Sequence, residues 1–295
     1  APRVAQRAER LLGAAVVATA EVAGGDTCRA TKLRLSDGTT ALMKTAPRVP
    51  EGFFEAEATG LRWLGSAPGD AAPVPDVLAV DEECLVVRWV EPARPSPEAA
   101  TAFGRALAHT HLAGAEAFGA ERDGFIGRLP LPQRTAPTWA EFYAVRRVLP
   151  YLKLARDRGA LEDQQAARIE SLVGRLPGLL PEEPPARLHG DLWNGNVLWA
   201  SDDRSFVIDP AAYAGHREVD LAGEERVADL AQAIGFVDVD LDPHHVELLK
   251  RLADSGRRLD AEVEVQVQRN VYVGSDGISE RSDLRVDVID QLVGD

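Results

Sequence analysis

The chain has 295 residues, 45% of them hydrophobic and 27% charged, and carries a formal net charge of −14. That length fits one large domain or two lobes, and the composition is that of a soluble protein with a substantial core. A diffuse negative field argues against nucleic acid and anionic membrane as main partners; an anionic small substrate stays admissible, because a metal ion or a local basic pocket reverses the field at short range.

In chain order, Val4, Ala8, Leu11 and Leu12 share one helical face, which predicts a short amphipathic helix over Pro2–Leu12. Strand-like runs follow. "AAVVATAEVA" leads into Gly24-Gly25-Asp26, then come "TCRATKLRL", the Asp37-Gly38 turn signal and "TALMKTA". A period of two puts Leu42 and Lys44 on one face and Ala41 and Met43 on the other. Pro50–Leu64 reads as a helix, Ala67–Asp76 as a loop and Cys84–Val90 as a strand. "EPARPSPE" at 91–98, with three prolines in eight residues, is the clearest linker. Beyond it, Ala99–Phe118, Trp139–Arg158 and Leu161–Leu179 read as long helices. The expected fold class is α+β: a small β-rich half with one main helix, then a larger and mostly helical half. The corresponding domains are 1–90, a hinge at 91–98, 99–222 and a separate segment 223–295.

Cys28 and Cys84 stand in no CxxC or metal-ligand cluster, as expected of reduced thiols. No apolar run approaches the length of a membrane span, and no basic leader with a cleavage site is visible, which predicts a cytoplasmic protein. His109 and His111 are two residues apart, so on a helix they point in different directions and read as packing residues rather than metal ligands.

The chemistry concentrates at "HGDLWNGNVLWASDDRSFVIDP", residues 189–210. Phosphoryl transfer needs a carboxylate to take the acceptor hydroxyl's proton, hard oxygen ligands for Mg²⁺, and a cation on the phosphates that stay behind. His189-Gly190-Asp191 with Asn196 has the kinase catalytic-loop spacing, with Gly in place of Arg. On that spacing Asp191 is the base and Asn196 a metal ligand. A hairpin over Val197–Ala200 and Ser205–Ile208 then delivers Asp209, the second metal ligand. Each fragment alone reads as ordinary turn chemistry; the ordered set is far more specific. Upstream, Lys44 follows the Gly24-Gly25 turn on a strand and precedes a helix bearing Glu57, the kinase arrangement for aligning phosphates. Glu55 competes with Glu57, but Glu57 lies four residues before Leu61 on the inward face. Gly24 and Gly25 match neither GxGxxG nor a GxxxxGK[ST] loop; their place between two strands before Lys44 would let backbone N–H groups approach phosphates.

These residues together resemble the fructosamine kinases, relatives of the aminoglycoside phosphotransferases with a protein-kinase-like two-lobe fold. The resemblance rests on "GGD" (24–26), "MK" ending at Lys44, "FFEAEATGLRWL" (53–64), "VPDVLAV" (74–80), "LVVRWVEP" (85–92), "GFIGRLPLPQ" (124–133), "HGDLWNGNVLW" (189–199) and "IDPAAYAGHREVDLA" (208–222). It covers roughly residues 10–222. It implies ATP and Mg²⁺ as cofactors, Asp191 as proton acceptor, Asn196 and Asp209 on the metal, and Lys44 and Glu57 ordering the phosphates. It further implies that Arg88, Trp89 and Val90 form the hinge whose backbone meets adenine, that Trp193 packs against the sugar-derived substrate, and that Asp220 braces the catalytic loop. The family's acceptors are ketoamines, sugar adducts of small amines and of lysine side chains; phosphorylation makes the adduct fall apart. Some relatives carry a redox-sensitive cysteine in the Gly-rich turn at the place of Asp26, which raises the question of a thiol switch at Cys28. A monomer is expected.

The pattern departs from the family after "EVDLA". From Gly223 onward only Phe236 and Tyr272 are aromatic, where relatives carry aromatic helices on the substrate side. Three readings stay open for 223–295: a divergent folded end, an altered end replacing the native one, or a small added module. Two rival functions follow. One is a kinase for another small acceptor, an aminoglycoside or amino alcohol, against which Trp193 argues. The other is a nucleotide-binding protein whose catalysis is impaired by the divergent end.

Overall fold

The computed structural model describes residues 2–22, 27–159, 161–200, 202 and 204–223. The Gly24-Gly25 turn and all but the first residue of the divergent segment 223–295 lie outside these residues.

Helix α1 (Pro2–Leu12) forms as its periodicity predicts, and Ala8 is fully buried. It is followed by β1 (Val16–Val22), β2 (Arg29–Leu35), β3 (Thr40–Thr45), α2 (Phe53–Gly65), β4 (Val77–Asp81) and β5 (Cys84–Arg88). The five strands make one antiparallel sheet in the order β1-β2-β3-β5-β4. The Asp37-Gly38 signal is the β2–β3 turn: Gly38 has φ 87° and the Thr39 amide donates to Asp37 Oδ1 at 2.8 Å. The period-two reading of β3 holds. Ala41 and Met43 pack with Ala8, Leu33 and Val86 under α1, whereas Leu42 faces Phe54, Leu61 and Leu85 under α2. Lys44, in phase with Leu42, is therefore carried on the α2 side of the sheet.

Several details of the first half differ from expectation, and strand β5 stops at Arg88 rather than Val90. Helix α2 begins at Phe53 rather than Pro50, because Gly52 (φ 78°) turns the chain and the Phe53 amide bonds Pro50 O at 3.2 Å. Strand β4 was not foreseen; it occupies five residues ending at Asp81, whose Oδ1 accepts from the amides of Glu83 and Cys84 and closes the turn.

After the linker, α3 (Pro97–Leu112) starts with Ser96 accepting from the Ala99 amide and Pro97 in the first turn. It ends at Leu112 rather than at Phe118, because Gly114 adopts φ 61° two residues on. A small hairpin, β6 (Gly124–Ile126) and β7 (Leu129–Leu131), comes next. The expected helix Trp139–Arg158 is α4 (Trp139–Phe142), a π-helical stretch Tyr143–Val148 and α5 (Leu149–Asp157). Then come α6 (Asp163–Leu179), β8 (Ala186–Leu188), a 3₁₀ turn at Asn194–Asn196, β9 (Val197–Trp199), β10 (Ser205–Val207), β11 (Tyr213–Gly215) and α7 (Glu218–Gly223). The described helices within 148–179 fall in one compact unit, with Leu152, Ala166 and Leu176 buried. The other described residues form a second unit, which contains the sheet and the whole 189–210 stretch.

Within that unit two apolar clusters hold the 189–210 stretch from both ends. Leu188 packs with Phe118, Trp139, Phe142 and Tyr213; Leu192 packs with Phe103, Leu107, Val197 and Trp199. The chain between them is thus fixed by core packing on each side of Asp191.

Phe54 is fully buried between α2 and the sheet. Phe54→Ala is expected to cost about 3–5 kcal/mol, the usual toll of a large core truncation, read as a lowered urea midpoint. A loss under about 1 kcal/mol would show that α2 is not anchored by this side chain.

Candidate active site

Lys44 is the centre of the site. Its β3 backbone pairs with Ala30 and Leu85, so its position is set by ladders on both sides. The side chain is 9% exposed, and Nζ lies 2.7 Å from Glu57 Oε1 and 2.8 Å from Asp209 Oδ1. Glu57 arrives on the inner face of α2, whereas its competitor Glu55 is exposed. Burial works against the lysine's charge, but Glu57 and then Asp209 outweigh it and hold the ammonium protonated above the ordinary lysine range. Burial raises the Glu57 carboxyl, with Lys44 pulling the other way. Of the two charges the lysine's is the more secure, since it meets two carboxylate oxygens and Glu57 meets one cation.

Asp209 is brought to Lys44 by the hairpin that follows the catalytic loop. Pairing of Val197 with Val207 sets Asn196 beside Ile208, and the Ile208 amide donates to Asn196 O at 3.0 Å. Asp209 follows with φ 57°, a left-handed conformation unusual for a side-chain-bearing residue and best tolerated by Asp and Asn.

Asp191 sits at the end of a turn that only glycine permits. Gly190 has φ 80°, and a Cβ there would stand 2.3 Å from Ala211 O. Asn196, 6% exposed, donates from Nδ2 to Asp191 O at 2.8 Å and approaches Asp191 Oδ2 at 3.3 Å. Asp191 and Asn196 therefore share one loop, and the hairpin register ties that loop to Asp209.

The loop is braced from behind by buried polar groups. Asp220, 1% exposed, accepts from the His189 amide (2.8 Å), the Gly190 amide (2.8 Å) and His111 Nε2 (2.9 Å). Burial alone would raise its carboxyl, but the donors, His111 foremost, keep it below the ordinary carboxylate range. His189 is 1% exposed, and burial lowers its pKa despite Asp220, which makes it a neutral imidazole. Nε2–H then donates to Ile208 O at 2.8 Å, and Nδ1 accepts from the Asp191 amide at 3.3 Å. One neutral ring thus links the Asp191 amide to Ile208, the residue before Asp209.

Arg88, Trp89 and Val90, expected to form the hinge, serve the sheet first. The Arg88 amide donates to Asp76 O and the Trp89 amide to Thr40 O. Among the described residues, Val90 is the one of the three whose amide enters neither of these bonds. The Arg88 side chain pairs with Asp76, and Trp89 Nε1 donates to Glu91 at 2.6 Å with Lys32 over its ring at 4.1 Å. Trp193, in the loop, is 38% exposed. Gly24 and Gly25 fall outside the described residues. Burial pushes the Cys28 thiol up to about 11, with Lys44 only partly opposing, which disfavours the thiolate that redox chemistry uses.

Two contributors escaped sequence reasoning. His111 reads as a packing residue, yet it reaches across 109 positions to Asp220. Arg187 donates to Trp63 O (2.6 Å) and Ser66 Oγ (3.0 Å) and lies over the Trp63 ring, which ties β8 to the end of α2. No local periodicity signals either contact.

A buried strand lysine shared by a helix glutamate and an aspartate after a catalytic-loop hairpin places the chain in the protein-kinase-like fold class. The fructosamine kinase family profile matches residues 2–236, and the chain belongs to that family. It is 40% identical over 181 residues to a ketoamine kinase candidate of Thermus thermophilus, covering 61% of this chain and 64% of that protein. It is 30% identical over 193 residues to a chloroplastic protein-ribulosamine 3-kinase of Arabidopsis thaliana, covering 63% and 58%. The chain thus spans less than two thirds of the length of these curated relatives. A crystal structure of a fructosamine-3-kinase candidate from Thermobifida fusca superposes with TM-score 0.70 at 44% identity, covering 81% of this chain and 86% of that one.

His189 and His216 are both buried, and burial, first among the causes, lowers both. An unfolded chain takes up protons below about pH 6.5 while the folded imidazoles still refuse them. Stability is therefore complete above that pH and falls as the pH drops through the lowered folded values. Thermal melting from about pH 8 down to about pH 5 should show this decline. A flat melting temperature across that window would contradict it.

Proposed function

We propose that this chain is an ATP- and Mg²⁺-dependent kinase that phosphorylates a hydroxyl of a ketoamine, a fructosamine or ribulosamine, on a small amine or a lysine side chain. The observation that carries this reading is the Lys44 ammonium held between Glu57 and Asp209, with Asp191 and Asn196 on the adjoining loop. Membership of the fructosamine kinase family and the ketoamine and ribulosamine kinases among its relatives support the acceptor class.

The reaction joins the acceptor oxygen to the γ-phosphorus as the bond to the ADP oxygen breaks. Asp191 takes the hydroxyl proton, Lys44 lies on the phosphates that remain with ADP, and Glu57 keeps Lys44 in place. Asn196 and Asp209 fit Mg²⁺: both offer hard oxygen donors, and no group of three or more His, Cys, Asp or Glu fit to hold a metal ion exists among the described residues. Asn196 and Asp209 would hold the ion, which would supply charge neutralisation on the phosphates. The hinge 88–90 meets adenine and Trp193 the sugar. The two cysteines are free thiols, and among the described residues no helix is long and apolar enough to cross a membrane. We read the protein as cytoplasmic and monomeric, with nucleotide and ketoamine as its partners.

One observation favours a second reading. The family match stops at residue 236, so 237–295 lie beyond it. A protein that binds Mg-ATP but turns over no acceptor would combine the intact phosphate site with an incomplete substrate side.

Mg-ATP is expected to raise the melting temperature, and adding fructoselysine to release ADP. Stabilisation without ADP release would favour the second reading; no stabilisation would contradict both. Asp191→Asn should keep the Mg-ATP stabilisation and lose about 10²–10⁴-fold in turnover, the scale of a general base. An active Asp191→Asn variant would remove Asp191 from that role.

A further inference from the structure

We propose that Gly195 is an acceptor-positioning residue: it is kept without a side chain so that the Trp193 indole lies flat across the 3₁₀ turn beside Asp191 and forms the platform for the ketoamine. The inference rests on the kinase reading and refines its substrate side.

Gly195 is the middle residue of the Asn194–Asn196 turn. A Cβ built on it would stand 2.2 Å from Trp193 Cη2 and 2.5 Å from both Cζ2 and Cζ3. The three nearest atoms all belong to the far edge of one indole. The backbone does not ask for glycine here, because Gly195, unlike Gly190, is not in the left-handed region. A side chain at 195 would therefore meet the indole first, and it is the indole rather than the backbone conformation that calls for glycine here.

The indole, in turn, is not placed there for the core. Trp193 is 38% exposed, belongs to no buried cluster among the described residues, and follows an extended backbone at φ −157°. Its own carbonyl accepts the Asn196 amide at 2.8 Å, so ring and turn are built together, and Asn196 bonds Asp191. A large apolar surface left half in water, two residues from the proposed base, with a glycine cleared beneath it, is suited to receive one face of a sugar-derived acceptor.

The clash at Gly195 involves only the free end of a two-torsion side chain. A methyl group there is therefore expected to swing the indole away while the turn and its backbone bonds persist. Gly195→Ala should raise KM for fructoselysine about three- to tenfold, the scale of one lost aromatic contact, with KM for ATP and the melting temperature little changed. In a Trp193→Ala background the same substitution should add almost nothing, because the ring it displaces is gone. Gly195→Ala combined with Trp193→Phe should bind acceptor better than Gly195→Ala alone, since the smaller ring leaves room for the methyl; this comparison also holds if Gly195→Ala itself is poorly folded. Equal effects in the native and Trp193→Ala backgrounds, a matching rise in KM for ATP, or an unchanged acceptor KM would each overturn the inference while leaving the kinase reading in place. A native protein that releases no ADP with fructoselysine overturns both.

Discussion

A single buried ammonium shared by two carboxylates governs this molecule. Lys44 balances one of the two charges of Glu57 and Asp209, and Asp191 adds another carboxylate on the adjoining loop. Taking such charges out of water is costly unless partners are close and well aligned, and two contacts under 3 Å supply that. The pair also joins three separate pieces of chain: β3, α2 and the segment after β10. Around that ammonium carboxylates outnumber cations, the electrostatic setting in which the proposed kinase would take its nucleotide with a divalent ion rather than bare.

The catalytic loop obeys a complementary rule. Its bracing groups satisfy one another and leave no spare proton near the reacting position. Asp220 is saturated by two amides and His111, and His189 is kept neutral with both ring nitrogens engaged. Gly190 provides the turn that these bonds require. Core packing by Leu188 and Leu192 fixes both ends. Asp191 is then carried on a backbone whose position does not depend on its own side chain, which is what the proposed role of a proton acceptor would need.

Local pattern carried much of this into the sequence. The alternation of "TALMK" put Lys44 on the face of Leu42, which the structure turns to α2, helical spacing chose Glu57 over Glu55, and the spacing from Asp191 to Asn196 and on to Asp209 survived as one connected loop and hairpin. What escaped was non-local or too short to have a period. β8 and β11 are three residues each and exist because they pair with one another. β4 is a bulged edge strand held by β5. The Asp220–His111 contact spans 109 positions, and the clearance under Trp193 depends on how an indole lies, which no spacing encodes. The Gly24-Gly25 turn and the departure from family pattern after Gly223 were visible as sequence and lie outside the described residues, Gly223 itself apart.

The most direct measurement is a ³¹P NMR spectrum of fructoselysine incubated with the native 295-residue chain and Mg-ATP. The account predicts a phosphate monoester on the ketoamine sugar that grows in step with ADP. ATP left unchanged, or ADP formed with inorganic phosphate alone, would contradict it.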